Sequence, residues 1–331
     1  MSDGMSEASS DVEPDRDPRV RDRDRAASGV PHTGWALGDR FAWEEVHQRL
    51  VASADEEMGS NLSELTFSGF TAGFAIVLTF MGHAVGSATF PDNPFLGAIL
   101  YPIGFLFIIL GRYQLYTENT LPPVKLVLTR LASVPLLLRL WAVVLAANLV
   151  GAAAGALILA NTEVLSPEAM EAGADLVRAG VDHRWSDLFF KAVFAGWLVA
   201  GLVWLVVAAR DTISRLVITY LVFYTIPVLG LYHVVSTAAE AFFFGFADMP
   251  GPGPWALFSQ FWLPVLLGNT FGGVVLIALV GYAQSEQRTF PEFRVLSTRD
   301  VLFTMKGGRP FRTPRPGVQS EGSTEADDTG A

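Results

Sequence analysis

The chain has 331 residues, of which 51% are hydrophobic and 17% are charged, and its mean hydropathy is +0.37. A soluble protein of this length spreads its apolar residues in periodic patterns, whereas here they are concentrated in long, nearly uncharged blocks. The lack of cysteine excludes disulfides, thiolate metal sites and cysteine nucleophiles. Most of the net charge of −10 lies in the tails and one connector, so it says little about a partner. The composition predicts a membrane protein with several spans.

The first predicted element outside the apolar blocks is an amphipathic helix. Its sequence, FAWEEVHQRLVASADEEM, places Trp43, Val46, Leu50 and Val51 on one helical face and acidic residues on the others. This face is expected to lie against the membrane surface or a neighbouring subunit, and His47 is expected to be solvated.

Seven apolar blocks follow, and several reach the roughly 20 residues that a helix needs to cross a hydrocarbon core. They lie at 66–88, 94–111, 134–160, 189–209, 216–230, 237–247 and 257–283. The fifth and sixth blocks are each too short to cross alone, so we combine them into one interrupted span. The second block is interrupted by RYQLYTENTLPP and continues through Val124–Leu128. The sequence therefore predicts six transmembrane helices, with the second and fifth broken.

Lysine and arginine alternate between connectors in the way that marks cytoplasmic loops. The connector after the second span has Lys125, Arg130 and Arg139, and the connector after the fourth has Arg210 and Arg215. Six crossings then place both termini in the cytoplasm of a multi-pass plasma-membrane protein. Four segments are predicted: a disordered tail at 1–40, the amphipathic surface helix at 41–60, the transmembrane domain at 61–284, and a C-terminal cytoplasmic tail at 285–331 that is disordered at its end.

The two interruptions resemble each other, which predicts an internal repeat. GRYQLYT at 111–117 aligns with GLYHVVS at 230–236, pairing Thr117 with Ser236, and an N-x-x-G run follows each, starting at Asn148 and at Asn269. Three spans in each half force the second half to enter from the opposite side, so the repeats are inverted. Two broken helices in inverted halves predict a substrate site near the middle of the bilayer, where freed backbone groups line a cavity.

Polar side chains inside the predicted spans mark the candidate passage, because each is costly in hydrocarbon. His233 either hydrogen-bonds a backbone carbonyl as a neutral ring or switches its proton when an anion arrives. Thr117 and Ser236 either bind the anion or cap a half-helix, with Thr237 beside them. Leu115 and Tyr116 form an apolar constriction or simply pack. The predicted pathway residues are His233, Thr117, Ser236, Thr237, Leu115 and Tyr116.

Four charged residues within the spans are candidates for charge relay or anion attraction. Glu240 follows His233 by two helical turns and serves a structural hydrogen bond or a proton relay. Arg112 and Glu118 bracket the first break and either pair with each other or pair with Glu240. Lys191 extends to the interface or attracts anions. His83 is expected to lie at the membrane interface or to pack between helices.

Several segments resemble the formate/nitrite transporter family. QLYTENTL is similar to the loop that breaks the family's second helix, WAVVLAANLVGAAAGALIL to its third helix, GWLVAGLVWLVVAARD to its fourth, GLYHVV to the histidine-bearing break of its fifth, and PVLLGNTFGGVVLIALVGY to its sixth. The resemblance implies an aquaporin-like six-helix protomer, a homopentamer with one pore in each protomer, and passage of formate, nitrite or hydrosulfide. It implies that His233 is the central histidine and Thr117 the hydroxyl of the first loop. Tyr232, Thr237 and Gly196 depart from the family pattern.

Three functions are compared. The first is a channel or transporter for small monovalent weak-acid anions, such as formate or nitrite, with proton transfer through His233 and with the anion, the proton, the lipid bilayer and further copies of the chain as partners. The second is a neutral-solute channel for ammonia, water or a small polyol, although no Asn-Pro-Ala motif occurs. The third is a membrane enzyme or scaffold, which no HExxH or GxSxG motif supports. The sequence favours the first, with no enzyme activity, cofactor, metal or nucleic acid expected.

Overall fold

The structure is a computed structural model that describes residues 41, 43–279 and 296–307. The predicted tail at 1–40 lies outside these residues, as does most of the predicted tail at 285–331. Within the described ranges the protein is all-helical, and no β-strand is formed there.

The helices follow one another through short connections. In chain order they are α1 Trp43–Gly59, α2 Leu62–Thr89, α3 Pro94–Gly97, α4 Ile103–Gly111, α5 Pro122–Leu128, α6 Val134–Asn161, α7 Pro167–Val181, α8 Trp185–Ala208, α9 Thr212–Val228, α10 Val234–Phe246, α11 Pro254–Ala256, α12 Leu263–Phe271 and α13 Thr298–Phe303. Of these described helices, α2, α6 and α8 are long and apolar enough to cross a membrane, whereas α9 and α10 are apolar but shorter. A 3-10 turn at Glu118–Thr120 precedes α5, and π-helical segments flank α12 at Leu257–Trp262 and Gly272–Leu279.

Capping side chains fix where several helices begin. Asn61 accepts a hydrogen bond from the Glu64 amide at 2.8 Å before α2, and Asp211 accepts one from the Ser214 amide at 2.8 Å before α9. Each cap satisfies one of the amides that a first helical turn leaves without a partner. These polar starts lie at the ends of the apolar blocks and set the length of each helix.

The helices α2 and α6 pack in the same way as α8 and α12, through a glycine at each crossing. A Cβ at Gly73 of α2 would collide with the backbone carbonyl of Asn148 on α6, and a Cβ at Gly196 of α8 would collide with that of Asn269 on α12. Only a glycine lets the two backbones approach this closely. The two helix pairs therefore share one packing arrangement, and Gly196 occupies the position where it requires glycine.

The chain leaves the helical conformation between α4 and α5, at the first predicted interruption, and again between α9 and α10, at the second. A left-handed residue follows the helix before each of these stretches: Arg112, with φ 57°, follows α4, and Gly230, with φ 61°, follows α9. Each end has the paired amide–carbonyl bonds of a Schellman motif. The long bond of each pair runs from the Tyr113 amide to the Ile108 carbonyl at 3.0 Å and from the Leu231 amide to the Ile226 carbonyl at 2.9 Å.

These bonds correct the register of the predicted repeat by one residue. The sequence comparison paired Gly111 with Gly230, whereas the left-handed position that matches Gly230 is occupied by Arg112. The equivalent of Thr117 is therefore Val235 and not Ser236. Identity between two glycines misled the alignment, because the first helix end places a non-glycine residue in the conformation that usually selects glycine.

The helix α1 buries its apolar face against its own chain. Val46, Leu50 and Val51 are buried where α1 packs on α5 and α8 of the same chain, which corrects the expected partner, a membrane surface or neighbouring subunit. His47 is half-buried with Nδ1 3.5 Å from Lys125 Nζ, so the expectation that it is solvated was wrong. Burial first, and then the positive charge of Lys125, lower the pKa of His47 to about 4.

The helix α7 was not predicted, because it lies in the acidic connector between two apolar blocks. Ser166 caps it by accepting a hydrogen bond from the Ala169 amide at 3.2 Å, and Pro167 occupies its first turn. Its small residues face the bundle, where Gly173 lies against Phe80. A narrow buried stripe of alanine, glycine and valine packs this helix against the membrane domain.

Candidate functional site

His233 lies at the second interruption and is the first residue before α10. Its ring is buried, with 1% of the residue exposed, and its Nε2 atom lies 2.8 Å from Thr117 Oγ1. Its Nδ1 atom accepts a long bond of 3.5 Å from the Ser236 amide. Because a neutral imidazole carries one proton, a ring that accepts at Nδ1 donates at Nε2, so Thr117 accepts from His233. The structure thus places a side-chain hydroxyl, rather than the backbone carbonyl considered above, beside the ring.

Thr117 brings the first interruption to this histidine. The residue is 1% exposed, and it makes no side-chain cap for the 3-10 turn that follows it. Capping, which was the alternative role considered for both hydroxyls, is therefore wrong for Thr117. It is also wrong for Ser236, because the cap of α10 is His233 itself. The Thr117 hydroxyl keeps its own proton available for a further acceptor.

Asn148 of α6 holds the first interruption in place. Its Oδ1 atom accepts from the Tyr116 amide at 2.9 Å, and its Nδ2 atom donates to the carbonyls of Gln114 at 2.9 Å and Gly69 at 2.8 Å. Its amide therefore meets three backbone groups, two of them in the stretch that leaves the helix. This satisfies the requirement that non-helical backbone in a membrane interior find internal partners.

Asn269 of α12 does the same for the second interruption. Its Oδ1 atom accepts from the Val234 amide at 2.8 Å, and its Nδ2 atom donates to the carbonyls of Tyr232 at 2.9 Å and Ala192 at 2.8 Å. Both asparagines are fully buried and are bonded to backbone. Their role is to fix the two loops.

Two phenylalanines enclose the histidine. Phe105 of α4 and Phe223 of α9 stack with ring centroids 3.5 Å apart. Each ring also makes an edge-to-face contact with His233, with centroid distances of 4.8 Å for Phe105 and 6.1 Å for Phe223. Both rings are fully buried. Sequence reasoning missed them because each lies inside a uniform apolar run, where one phenylalanine gives no signal that distinguishes it from its neighbours.

Two cavities approach the Thr117–His233 pair from different sides. The α7 cavity, of about 750 Å³, is lined by α7 together with His83, Tyr101, His233, Thr237 and Glu240. The α1 cavity, of about 780 Å³, is lined by α1 together with Arg112, Gln114, Glu118, Asn119 and Arg215. Thr117 lies in the chain between Gln114 and Glu118, which line the α1 cavity, and its partner His233 lines the α7 cavity.

The predicted residues His233, Thr237 and Glu240 line the α7 cavity, whereas Ser236 does not. Ser236 Oγ donates to Glu240 Oε1 at 3.3 Å, which is the structural bond foreseen for that glutamate. Thr237 and Glu240 are 1% and 6% exposed, yet both line the cavity. His83 packs edge-on against Tyr101 at 5.4 Å, and its Nδ1 atom has no hydrogen-bond partner among the described residues.

The charges at the first interruption do not pair as considered above. Arg112 is exposed in the α1 cavity and forms no ion pair with any residue that the structure describes, so it contacts neither Glu118 nor Glu240. Glu118 lines the same cavity, and its buried Oε1 atom lacks a hydrogen-bond partner in the described ranges.

Lys191 and the two residues before Thr117 have structural partners. Lys191 Nζ donates to the Gly230 carbonyl at 2.9 Å, so it caps the end of α9 instead of extending to the interface. Tyr116 donates to or accepts from Thr270 Oγ1 at 2.8 Å, and its ring packs on Trp141. Leu115 is fully buried, and neither it nor Tyr116 lines either cavity.

A bundle of apolar helices with a buried polar pair between two cavities is an arrangement of membrane transport proteins. A family model described as Formate/nitrite transporter matches residues 44–283. The chain belongs to the formate/nitrite transporter family, as its segments predicted, and this is a family of transporters rather than enzymes. The chain is 29% identical over 248 residues to the inner membrane protein YfdC of Escherichia coli (strain K12), covering 72% of this chain and 77% of that protein.

Solved structures show the same fold. An FNT family ion channel superposes with a TM-score of 0.64 at 18% sequence identity, covering 74% of this chain and 100% of that chain. A pentameric formate channel with formate bound superposes with a TM-score of 0.59 at 18% identity, covering 67% and 96%. The protein is thus an all-helical, multi-pass membrane protein with the fold of these channels.

Proposed function

We propose that the protein is a channel or transporter for small monovalent anions of weak acids, with formate and nitrite as the leading substrates. The observation that carries this proposal is the 2.8 Å contact between Thr117 and His233, which joins the two interruptions between two cavities. Family membership and a structural neighbour that holds formate support the choice of substrate.

In this proposal the chain crosses the membrane six times, in two inverted halves of three spans each. The second span consists of α3, α4 and α5, and the fifth consists of α9 and α10, each broken where its helix is interrupted. The matched Schellman ends and the matched asparagine bonds support this repeat. The membrane domain spans 61–284 with both termini in the cytoplasm, so the α1 cavity opens inward and the α7 cavity opens outward.

Copies of this chain and lipid are the proposed neighbours in the membrane. Large apolar side chains are exposed on three spans, among them Phe67 at 72%, Val150 at 59% and Phe190 at 59%. Exposed apolar faces on this scale need a lipid or protein partner. The structural neighbour is described as pentameric, which supports a homopentamer with one passage in each protomer.

His233 is the proposed proton switch of the passage. A protonated imidazole beside an arriving anion forms an ion pair, or the ring transfers its N–H proton to the anion to give a neutral acid and a neutral ring. Both routes reduce the unfavourable free energy of moving a bare charge through a low-dielectric region. Thr117, which accepts from Nε2, is free to donate its own hydroxyl proton to the solute.

The α1 cavity and the α7 cavity have different proposed roles. Arg112, exposed and without an ion-pair partner in the described chain, attracts anions into the α1 cavity, where Glu118 is a candidate proton acceptor. Lys191 donates to a backbone carbonyl, so its contribution to attraction is the weaker one. A neutral-solute channel for ammonia is the second candidate, favoured by one observation: no lysine or arginine is among the described residues that line the α7 cavity.

Solute flux into proteoliposomes between pH 5 and pH 8 tests the proposal. Purified protein is offered formate, nitrite, hydrosulfide, acetate, ammonium and water in turn. Saturable formate or nitrite flux with a pH profile that flattens in His233→Asn is expected. His183→Asn, which changes a histidine outside both cavities, is the matched control. Flux of water or ammonium alone would reject the anion proposal, and an unchanged profile in His233→Asn would reject the switch.

A further inference from the structure

The described part of the C-terminal tail is bound at the end of a membrane-spanning helix. The Leu296 amide donates to the Arg130 carbonyl at 2.9 Å, and Gly307 forms an isolated antiparallel bridge with Ala132. Between these two attachment points α13 packs on α6, which is long and apolar enough to cross a membrane and begins just after the bridge. The segment 296–307 therefore lies beside the membrane end of α6.

This segment buries its smaller apolar side chains and exposes its larger ones. Leu296 and Val301 are each 9% exposed, and they hold the segment on the membrane domain. In contrast, Leu302 is 47% exposed, Met305 57% and Phe303 76%. Single apolar residues on a surface are ordinary, but three large ones within four positions form a cluster that marks an interaction site.

Basic side chains accompany this apolar cluster. Arg299 is exposed and precedes Leu302 and Phe303 by three and four residues in α13, so the three share one helical face. The Lys306 side chain is exposed, with Nζ 3.8 Å from Asp300, the one acidic residue of the segment. Beyond the described residues, the sequence 308–318 adds three arginines and no acid: Arg309, Arg312 and Arg315. The stretch is thus basic in a chain whose net charge is −10.

We propose that the segment 296–307 docks on the membrane surface beside α6 and binds the headgroups of anionic phospholipids. The three exposed apolar side chains enter the boundary between headgroups and acyl chains, while Arg299 and Lys306 pair with lipid phosphates. Because both ends of the segment are tied to the membrane domain, contacts too weak to recruit a free peptide are sufficient here. Docking also fixes the connection between α5 and α6, to which the segment is bonded. The inference depends on α6 as a membrane span and not on the solute that passes.

Position and charge favour lipid over a protein partner. Leu138, in the second turn of α6, is 54% exposed, so the helix that holds the segment presents an apolar side chain outward close to the attachment points. The exposed charges of the segment are mainly positive, which complements the negative surface potential of a leaflet that contains anionic lipid. A neighbouring copy of the chain would cover the segment whatever the charge of the lipid, so lipid composition distinguishes the two partners.

A nitroxide attached through Met305→Cys tests the docking, because the chain has no other cysteine to label. The full chain is placed in nanodiscs, which leave both membrane faces open, made of phosphatidylcholine alone or mixed with phosphatidylglycerol. Power saturation measures collisions of the nitroxide with oxygen, which concentrates in lipid, and with a nickel chelate, which stays in water. In the anionic discs the nitroxide is expected to gain oxygen collisions and to lose nickel collisions by about threefold or more relative to the neutral discs.

Variants in the labelled chain separate the apolar contribution from the charges. Phe303→Ser removes the most exposed apolar side chain, and Arg299→Gln combined with Lys306→Gln removes both basic groups. Each is expected to restore most of the nickel collisions in anionic discs. Arg184→Gln is the charge control, since that exposed arginine lies at the start of α8 and outside the segment, and it is expected to change nothing. All these side chains are exposed, so the melting temperatures are expected to stay close to that of the wild type.

Three results would overturn the proposal. The first is a nitroxide that meets the nickel chelate equally in both kinds of disc. The second is a nitroxide shielded from oxygen and nickel alike in both, which would indicate cover by a neighbouring copy or by another part of the chain. The third is protection in anionic discs that persists in Phe303→Ser and in the double charge variant. None of these measurements involves solute flux, so the loss of this docking surface would leave the proposed function standing.

Discussion

Thr117 Oγ1 and His233 Nε2 lie 2.8 Å apart, although 116 positions separate the two residues in the chain. Replacing Thr117 by valine keeps the shape of the side chain but leaves the buried Nε2–H without an acceptor. An unsatisfied buried donor costs about 1–3 kcal/mol, so we expect a lower melting temperature in detergent and slower formate flux. Thermal unfolding followed by light scattering and stopped-flow flux measure the two effects.

The serine variant separates the hydroxyl from the methyl group. Thr117→Ser retains the hydrogen bond and is expected to keep most of the flux and stability of the wild type. Equal flux in Thr117→Val and the wild type would contradict a role for this hydroxyl in the passage.

Asn148 and Asn269 are expected to be equally important for stability. Replacing either by leucine removes the bonds to three backbone groups, and at about 1–3 kcal/mol for each group left unpaired the loss is severe. Because the two networks match, we expect similar shifts of the melting temperature. Asn161→Leu is the control, since that exposed side chain makes a single bond to the Leu157 carbonyl. A large loss in only one of the two variants would contradict the matched scaffold.

Arg112→Gly is expected to stabilise the fold and slow transport. Arg112 holds φ 57°, a left-handed conformation that costs a non-glycine residue about 1–2 kcal/mol, so glycine raises the melting temperature. The loss of the guanidinium removes attraction for anions, and flux falls at low ionic strength more than at high. Arg112→Lys keeps the charge and the strain. A melting temperature of Arg112→Gly below that of the wild type would contradict the claim that Arg112 is strained.

The docking of α1 is expected to respond to pH through two groups with opposite effects. Burial raises the pKa of the Glu57 carboxyl to about 7, and burial, followed by the charge of Lys125, lowers that of His47 to about 4. The contribution of Glu57 to the stability of docked α1 is fully present below pH 4.5 and is lost as the pH rises through 7. The contribution of His47 to the stability of docked α1 is fully present above pH 6.5 and is lost as the pH falls through 4.

Single variants separate these opposing slopes. In Glu57→Gln, α1 is expected to dock more tightly at pH 8 than at pH 5, and in His47→Gln more tightly at pH 5 than at pH 8, while the wild type changes least. Hydrogen exchange of the α1 amides, corrected for the intrinsic rate at each pH, measures this. If the exchange protection of α1 changed with pH in the same direction in both variants, the docking of α1 would not depend on the titration of these two groups.

The helices themselves follow from composition, because apolar length and capping residues are local properties. The sequence located both interruptions within a few residues, since Gly230 and the polar run after Gly111 are visible without a structure. The amphipathic face of α1 was also visible, and only its partner was not. A pattern shows that a face is buried and cannot show against what, so the contacts with α5 and α8 required the fold.

Other features depend on distant contacts that no local pattern records. The register of the repeat was misread by one residue because Arg112 occupies a position where glycine is usual. The helix α7 was missed because its buried stripe consists of small residues within a polar sequence. The stacked Phe105 and Phe223 were hidden in apolar runs, although they form the walls around the histidine. Local reasoning thus pointed to polar residues near the two interruptions and missed the phenylalanines that pack around His233.

The two asparagine networks also constrain how solutes cross. To move either loop, the protein must release the three bonds of Asn148 or of Asn269, each worth about 1 kcal/mol net and far more if left unmade in a dry interior. The bonds of Asn148 lie within residues 69–148 and those of Asn269 within residues 192–269, so a transport cycle that rocks one half against the other would leave both networks intact. Such a motion would instead break the Thr117–His233 hydrogen bond, which joins the two loops.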